Sequence, residues 1–300
     1  SRADWLDGKG VKRTVVATVG VGLWSFGMDA VRARQGVDYG SNVRMTVVVD
    51  DNNNEISAPE VNASVRVTGE GGTVGDVRSV AVNRATVAGT VTAPGTVDIH
   101  AVNAVAISEN NPDNHIPNAF PDEETIGFVG GSLPWPPSAG TWAGDWYQEA
   151  LGGGTTNAPS GTITAPKFIE LGGSGSLSGV TLRGPGTIFV HGNLGNGVIN
   201  GPPPAQLVVS GNFSGNLDYY CRRSPGQDVA PPLIIFGEDI ECKGNGVWDM
   251  GGPLMALNPN GRILINDSAM SMFGALISNG DIYFKSSGGS LGYPARFTGQ

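Results

Sequence analysis

The sequence predicts a mainly β protein: a parallel β-solenoid with a small N-terminal antiparallel β module. One observation is composition, because 47 glycines and 20 prolines in 300 residues indicate many tight turns between short segments. Another is that Val, Ile and Thr recur in runs too short for helices and right for strands, as in residues 15–19. The third is a short turn motif, called the corner, that recurs in the C-terminal half of the sequence.

The repeated corner joins an apolar run to a glycine and a polar residue, after which an apolar residue returns to the interior. It occurs in the segments TIFVHGNL, QLVVSGNF, LIIFGEDI, LNPNGRILI and ALISNGDI. Their glycines, at separations of 19, 26, 24 and 19 residues, are Gly192, Gly211, Gly237, Gly261 and Gly280. Such a period is typical of a solenoid whose turns stack on one another. A β-sandwich would also give short strands, but it would not repeat one corner.

The remaining segments are assigned in chain order. Residues 1–55 lack the corner and are predicted to form the antiparallel module, a small meander of the segments KRTVVATVGVG, GMDAVRARQGV and NVRMTVVVD. The solenoid is predicted to fill residues 56–300, beginning with the alternating apolar and small residues of 60–107. The same pattern resumes over residues 161–190.

A different composition marks residues 108–160. This stretch holds seven prolines and three of the six tryptophans, Trp135, Trp142 and Trp146. We expect a long insertion that these tryptophans pack against the side of the solenoid, with a short helix near residues 143–151. Long structured loops of this kind often carry function.

The charge and the apolar runs bear on partners and compartment. A formal net charge of −9 opposes long-range attraction to nucleic acid or anionic membranes, so such binding would need a local basic patch. No apolar run approaches the roughly 20 residues that span a bilayer. The start at Ser1 is interpreted as a mature or trimmed chain of an exported protein, where a disulfide could persist.

The two cysteines, Cys221 and Cys242, have 20 residues between them, close to one solenoid turn. We predict that they lie on successive turns and form a disulfide that holds the intervening loop. Closing a loop of this size would stabilise the fold by roughly 3 kcal/mol in the chain-entropy model. The alternative is two buried thiols.

A small group of basic and aromatic residues lies around this loop: Tyr219, Tyr220, Arg222, Arg223 and Lys243. Basic side chains interleaved with aromatic ones suit contact with a nucleic-acid backbone and its bases. The group is a candidate DNA-binding site, and the alternative is a loop with solvated charges.

Cation and cofactor sites are weakly indicated. Asp50, Asn52 and Asn54 offer oxygen ligands at alternate positions, as Ca²⁺ requires, but the EF-hand pattern fails and a polar turn is the simpler interpretation. The three histidines lack zinc-ligand spacing, and the glycine runs miss nucleotide-binding spacing. We therefore expect no cofactor.

The acidic corner residues Glu238, Asp239 and Glu241 raise an enzymatic alternative. Paired carboxylates can perform general acid and base chemistry on glycosidic bonds, as in a β-helical polysaccharide hydrolase or lyase. The equivalent corners of neighbouring repeats do not supply an obvious convergent set, and only His191 among the histidines lies near one. A solvated corner is the alternative.

Several segments together resemble the exported regions of PilX-type pilus-assembly proteins, in particular the large, ComZ-like minor pilins of type IV competence pili. The resemblance lies in the N-terminal meander and in GTIFVHGNL, LVVSGNF, PLIIFGEDIECKGNG, PLMALNPNGRILI and GALISNGDIYF. It implies a β-solenoid carried on a pilin-like domain, with a membrane-anchoring helix expected upstream of Ser1.

The same resemblance implies a non-enzymatic role at the cell surface. Such a protein would lie near the pilus tip beside other minor pilins and contribute to assembly, adhesion or DNA capture during transformation. A phage or S-layer fibre remains a further alternative.

Overall fold

The computed structural model describes most of the chain. The described residues are 2–6, 12–16, 29–40, 47–49, 64–68, 75–79, 89–98, 104–108, 121–200, 205–220, 232–243, 247–266, 271–285 and 290–294.

Two helices and many short strands make up this part of the chain. The strands before the helices are β1 (Arg2–Leu6), β2 (Lys12–Val16), β3 (Asp29–Ala33), β4 (Gly36–Tyr39), β5 (Val47–Val49), β6 (Ser64–Val67), β7 (Asp76–Ser79), β8 (Gly89–Ala93), β9 (Val97–Asp98) and β10 (Ala104–Ser108). The helices are α1 (Glu123–Ile126) and α2 (Trp142–Gly152).

The strands after the helices are β11 (Thr155–Thr156), β12 (Thr162–Thr164), β13 (Lys167–Gly175), β14 (Thr181–Arg183), β15 (Thr187–Leu194), β16 (Gly197–Asn200), β17 (Gln206–Val209), β18 (Phe213–Gly215), β19 (Leu217–Tyr220), β20 (Leu233–Ile235), β21 (Asp239–Lys243), β22 (Val247–Ala256), β23 (Arg262–Asn266), β24 (Ser271–Ser278), β25 (Asp281–Phe284) and β26 (Ser290–Pro294).

These strands stack in parallel into a coil with three faces, which confirms the predicted solenoid. Face A contains β11, β17, β20, β3, β6, β8 and β10, with the first parts of β13 and β15 and the last parts of β22 and β24. Face B contains β18, β21, β23, β25, β4, β7 and β9, with the last parts of β13 and β15. Face C contains β12, β14, β16, β19, β26 and β5, with the first parts of β22 and β24.

The interior of the coil is a set of apolar columns in which each side chain lies over its register partner. On face A one column is Ile188, Leu207, Leu233, Leu254, Leu276, Val31, Val65 and Val91, all buried. Successive strands of a parallel sheet lie about 4.8 Å apart, so neighbouring side chains are in van der Waals contact along the column. This burial is the main source of stability for a repeat that has no core of its own.

The order of the turns differs from the order of the chain. The last C-terminal turn, β24 to β26, pairs in parallel with β3, β4 and β5 near the N-terminus. Strands β6 to β10 then extend the coil beyond them. The coil therefore begins near residue 155, runs to residue 294 and continues with residues 29–108.

This arrangement corrects the predicted antiparallel module of residues 1–55. Only β1 and β2 form an antiparallel pair among its described strands, and β3, β4 and β5 belong to the solenoid. The alternation of apolar and polar residues in these strands is the same in a meander and in a parallel coil, so the pattern could not distinguish them. The boundary predicted at residue 55 consequently falls inside the coil.

Within the predicted insertion, residues 121–154 pack along the outer side of face A; we call this segment the connector. A second apolar cluster forms between them: Ile126, Phe128, Ala143, Trp146, Ala150, Phe168, Phe189, Val208, Ile234, Phe236, Met255, Leu257 and Ile277. The helix predicted at 143–151 is present as α2. The expected packing by tryptophans is also confirmed, since Trp146 contacts Phe236 and Trp135 contacts Phe168.

Helix α2 is fixed to the coil by polar contacts as well. The Thr141 side chain caps its N-terminus by accepting a hydrogen bond from the Gly144 N–H. At the other end, the Glu149 carboxylate accepts hydrogen bonds from the backbone N–H and the hydroxyl of Thr187, at 3.0 and 2.7 Å. Lys167 of β13 also donates from Nζ to the carbonyl of Gly153, directly after α2, at 3.0 Å, so the connector is held on both β13 and β15.

Candidate functional site

The five corner glycines lie along one edge of the coil, as the repeat predicts. The Gly211 N–H donates to the Gly192 carbonyl at 3.1 Å, and the Gly237 N–H donates to the Gly211 carbonyl at 3.0 Å. A Cβ on Gly280 would meet the Gly261 carbonyl. The corners require glycine mainly because successive backbones approach closely there, and at Gly192 also because φ is +116°.

The polar residues after the glycines bond from turn to turn. The side-chain oxygen of Asn193 accepts from the Asn212 N–H at 2.8 Å, and that of Asn212 accepts from the Asp239 N–H at 3.1 Å. On the other side of the corner, the buried Asn258 and Asn279 amides donate to carbonyls of the preceding turns. These amides satisfy backbone groups that the strands leave unpaired at the corner.

Charged side chains point outward from face B because they alternate with buried Ile and Cys residues. The Arg262 guanidinium donates to Asp239 Oδ1 at 2.8 and 3.1 Å. Partial burial and repulsion from Asp38 raise the pKa of Asp281, although Arg262 opposes the shift and solvent reaches the carboxylate. Asp38 comes from the N-terminal segment, and the register places it beside Tyr283.

The carboxylates of the enzymatic alternative are engaged by neighbouring cations and amides. Lys243 Nζ lies 2.7 Å from Glu241 Oε2, and Asn266 donates to the other oxygen at 3.2 Å. The Lys243 hydrogen bond is the main reason that the pKa of Glu241 is lowered. A lowered pKa keeps this carboxyl ionised, whereas a general acid in glycoside cleavage needs a raised one.

The candidate DNA-binding residues are described only in part. Tyr219 and Tyr220 lie at the end of β19 on face C, in register with Trp248 and Asp249 of the next turn. Lys243 lies at the end of β21, where its ammonium group is paired with Glu241. Arg222 and Arg223 lie outside the described residues, so the predicted patch stays a prediction.

Cys242 is buried in the interior of the coil, with Gly215 and Ile265 as its register partners. Cys221 lies outside the described residues, so the disulfide remains a prediction. The calcium candidates Asp50, Asn52 and Asn54 also lie outside the described residues, so the calcium site stays a prediction. Within the part of the chain that the structure describes, no three His, Cys, Asp or Glu side chains converge to hold a metal ion.

The structure also assembles a site that the sequence reasoning missed, at the corner between faces A and B. His191 Nδ1 lies 2.8 and 3.0 Å from the two carboxylate oxygens of Glu170, one turn earlier. The Trp135 ring of the connector stacks on the His191 ring, with centroids 3.3 Å apart and planes at 1°. Glu170 and His191 thus belong to a row of residues at equivalent positions on successive turns. Ser210 is the next residue in this row, because its N–H donates to the carbonyl of Val190.

Two hydrogen bonds tie the row to the corner backbone. The Ser210 hydroxyl accepts from the Gly192 N–H at 3.0 Å, and Glu170 Oε1 accepts from the Gly172 N–H at 3.0 Å. Burial opposes ionisation of Glu170, but the hydrogen bonds from His191 and Gly172 outweigh it and lower the pKa of this carboxyl. The signal was present in the sequence: Glu170 and His191 are one solenoid turn apart, each next to a corner.

Comparison with known proteins finds no relative: no family model, curated protein or solved structure matches the chain. Among the described residues, neither helix is long and apolar enough to cross a bilayer.

Proposed function

We propose that the protein is a non-enzymatic, extracellular component of a type IV pilus, similar to a minor pilin, that contributes to DNA capture or adhesion. The observation that supports this proposal is the single stack of turns that joins the C-terminal and N-terminal segments. Such a stack forms a stiff body whose sides present side chains at regular intervals. The proposal rests on the coil and its corners, since strands β3, β4 and β5 belong to the coil and not to a separate platform.

The coil suits display because its outward side chains are held in place. On face B, two ion pairs hold charged side chains in place: Arg262 contacts Asp239 on the preceding turn, and Lys243 contacts Glu241 on its own strand. Exposed pairs of this kind contribute at most about 1 kcal/mol each, so their effect on stability is small. Their consequence is a surface with ordered spacing, which is what a macromolecular partner would contact.

DNA is the partner to test first, and the candidate patch defines the test. Because the net charge is −9, binding would depend on a few local cations and fall steeply with salt. Lys243 is already paired with Glu241. Arg222 and Arg223 are therefore expected to provide most of the attraction to phosphate.

The experiment is an electrophoretic mobility shift with short duplex and single-stranded DNA over a series of salt concentrations. We expect binding at low salt that is lost in the variant carrying Arg222→Glu and Arg223→Glu. If each arginine contacts one phosphate, removal of both should reduce the slope of log affinity against log salt by about 2. A variant with Arg262→Glu and Lys285→Glu carries the same change in net charge and should bind like the parent protein.

Two results would contradict the DNA proposal. One is the absence of any shift at low salt, and the other is equal binding by the parent protein and the Arg222/Arg223 variant. A stable trimer in solution would instead favour the fibre alternative.

A further inference from the structure

Trp135 is unusual among the large apolar side chains that the structure describes. Only Trp135 and Val129 are exposed among them, at 41% and 70%. Both belong to the connector, but Trp135 lies directly against the coil, whereas Val129 lies in a turn. A large aromatic ring kept partly in water is a common contact residue for a ligand, because covering it gives a favourable hydrophobic contribution.

The ring is held by contacts from both the connector and the coil. Besides the stacked His191, Tyr147 of α2 meets it edge-on at 5.2 Å, and Phe168 of β13 lies 6.0 Å away. These contacts fix the orientation of the indole before any ligand arrives. A rigid aromatic ring loses little conformational entropy on binding, so more of its contact energy remains available for affinity.

Polar groups of opposite hydrogen-bonding character lie at this corner: His191 lies face to face with the indole, and Ser210 lies one turn further along the coil. Since the Glu170 carboxylate only accepts, His191 donates to it through Nδ1, and in the tautomer that makes this bond Nε2 is the acceptor. The Ser210 hydroxyl accepts from the Gly192 N–H, so its own proton can be donated elsewhere. An acceptor and a donor thus occur on successive turns next to an aromatic surface, and both side chains are partly exposed.

This combination matches the chemistry of a sugar. A pyranose ring has an apolar face of C–H groups that packs on an aromatic ring, and hydroxyls at its edge that both donate and accept hydrogen bonds. The charge favours an uncharged sugar, because Glu170 is ionised at this corner and the interval between Arg84 and Lys167 contains no Lys or Arg. Anionic polysaccharides would be repelled.

We propose that Trp135, His191, Glu170 and Ser210 form a binding site for a neutral saccharide unit. Trp135 provides the stacking surface through the exposed part of its indole, His191 Nε2 accepts a hydrogen bond from a sugar hydroxyl, and Ser210 donates one. Glu170 positions the His191 ring. The site lies on the coil and the connector and does not depend on a pilus or on DNA binding.

The test is native electrophoresis through gels that contain a neutral polysaccharide: laminarin, soluble starch, galactomannan or hydroxyethyl cellulose. A gel that contains alginate is the anionic comparison. We expect retardation by at least one neutral polysaccharide and none by alginate. Trp135→Ala should weaken the retardation at least tenfold. Val129→Ala removes the other exposed apolar side chain of the connector and should leave the retardation unchanged.

His191→Phe separates recognition from packing. A phenyl ring can still stack on Trp135, so circular dichroism and thermal unfolding should stay close to those of the parent protein, while the loss of Nε2 weakens binding at least tenfold. The proposal is overturned if no neutral polysaccharide retards the parent protein, or if Trp135→Ala and His191→Phe are retarded as strongly as the parent. Equal retardation by alginate would overturn the neutral assignment.

Discussion

At the scale of single residues, the corners decide whether the turns can stack. Gly211 lies between the corners of two neighbouring turns, and a Cβ there would meet the Asn193 side chain and the Gly192 backbone. Backbone cannot move aside as a flexible side chain can. The small residue therefore allows the turns to approach to the normal spacing of a parallel sheet.

The first prediction concerns this close approach. We expect Gly211→Ala to lower the free energy of unfolding by about 1–3 kcal/mol, the usual cost of an added methyl group in a tightly packed position. Urea unfolding followed by circular dichroism measures the change. Gly152→Ala is the matched control: nothing lies within 4 Å of a Cβ at this helical position, so stability should be unchanged or slightly higher. Equal stability of the Gly211→Ala variant and the parent would show that the corners are looser than described.

At the scale of elements, the connector is held by both apolar and polar contacts. Its aromatic side chains cover the outward column of face A, which would otherwise expose Phe189, Val208 and Ile234 to water. A sheet with apolar side chains on both sides has to be covered on both. The Glu149 carboxylate fixes the position of α2 on the coil, because it accepts hydrogen bonds from one particular coil residue, Thr187.

The second prediction is that Glu149→Ala loosens α2 without unfolding the coil. Two hydrogen bonds to Thr187 are lost, which should cost about 1–2 kcal/mol in connector docking. Hydrogen exchange should show faster exchange of the α2 amides and unchanged protection in β17 and β20. Gln148→Ala alters the neighbouring exposed side chain and should leave the exchange of α2 unaffected. Faster exchange throughout the coil in the Glu149 variant would contradict this separation.

At the scale of the whole molecule, the N-terminal turns complete the coil that the C-terminal turns begin. The junction buries Leu276 against Val31 and brings the Tyr39 ring, tilted by 30°, against Phe284, with centroids 5.3 Å apart. Tyr39 is fully buried, and this burial raises the pKa of its phenol, so the ring stays neutral within the coil. The two ends of the chain are therefore expected to fold as one cooperative unit.

The third prediction tests that junction directly. Asp38 and Tyr283 are outward-facing register partners on β4 and β25, so cysteines at both positions should form a disulfide on oxidation. Cys221→Ser and Cys242→Ala in the background remove the other thiols. The crosslink should appear as a faster-migrating band on a non-reducing denaturing gel, because it closes a long loop.

The control for this crosslink pairs Asp38→Cys with Leu264→Cys, one turn further away. Leu264 is the register partner of Tyr283, so its Cα lies about two strand spacings from residue 38, beyond the reach of a disulfide. We expect no crosslink in this variant. Efficient crosslinking of the control, or none in the Asp38/Tyr283 variant, would contradict the order of turns described for this coil.

The sequence alone determined the local features of this protein. The strands, the corner glycines and helix α2 follow from β-branched runs, from close backbone approach and from a capped helical segment. Each of these depends on neighbours within a few residues or on a short repeat, so the information is present in any single stretch of chain.

Only the tertiary structure decided which turn stacks on which, and hence which side chains meet. Every turn offers the same alternation of inward apolar and outward polar residues, so the pattern does not distinguish β26 from β10 as a neighbour for β5. For that reason, the contact of Asp38 with the C-terminal turns and the stacking of Trp135 on His191 could not be predicted from spacing. The fit of whole turns to one another selects these partners, and that fit involves the entire length of the chain.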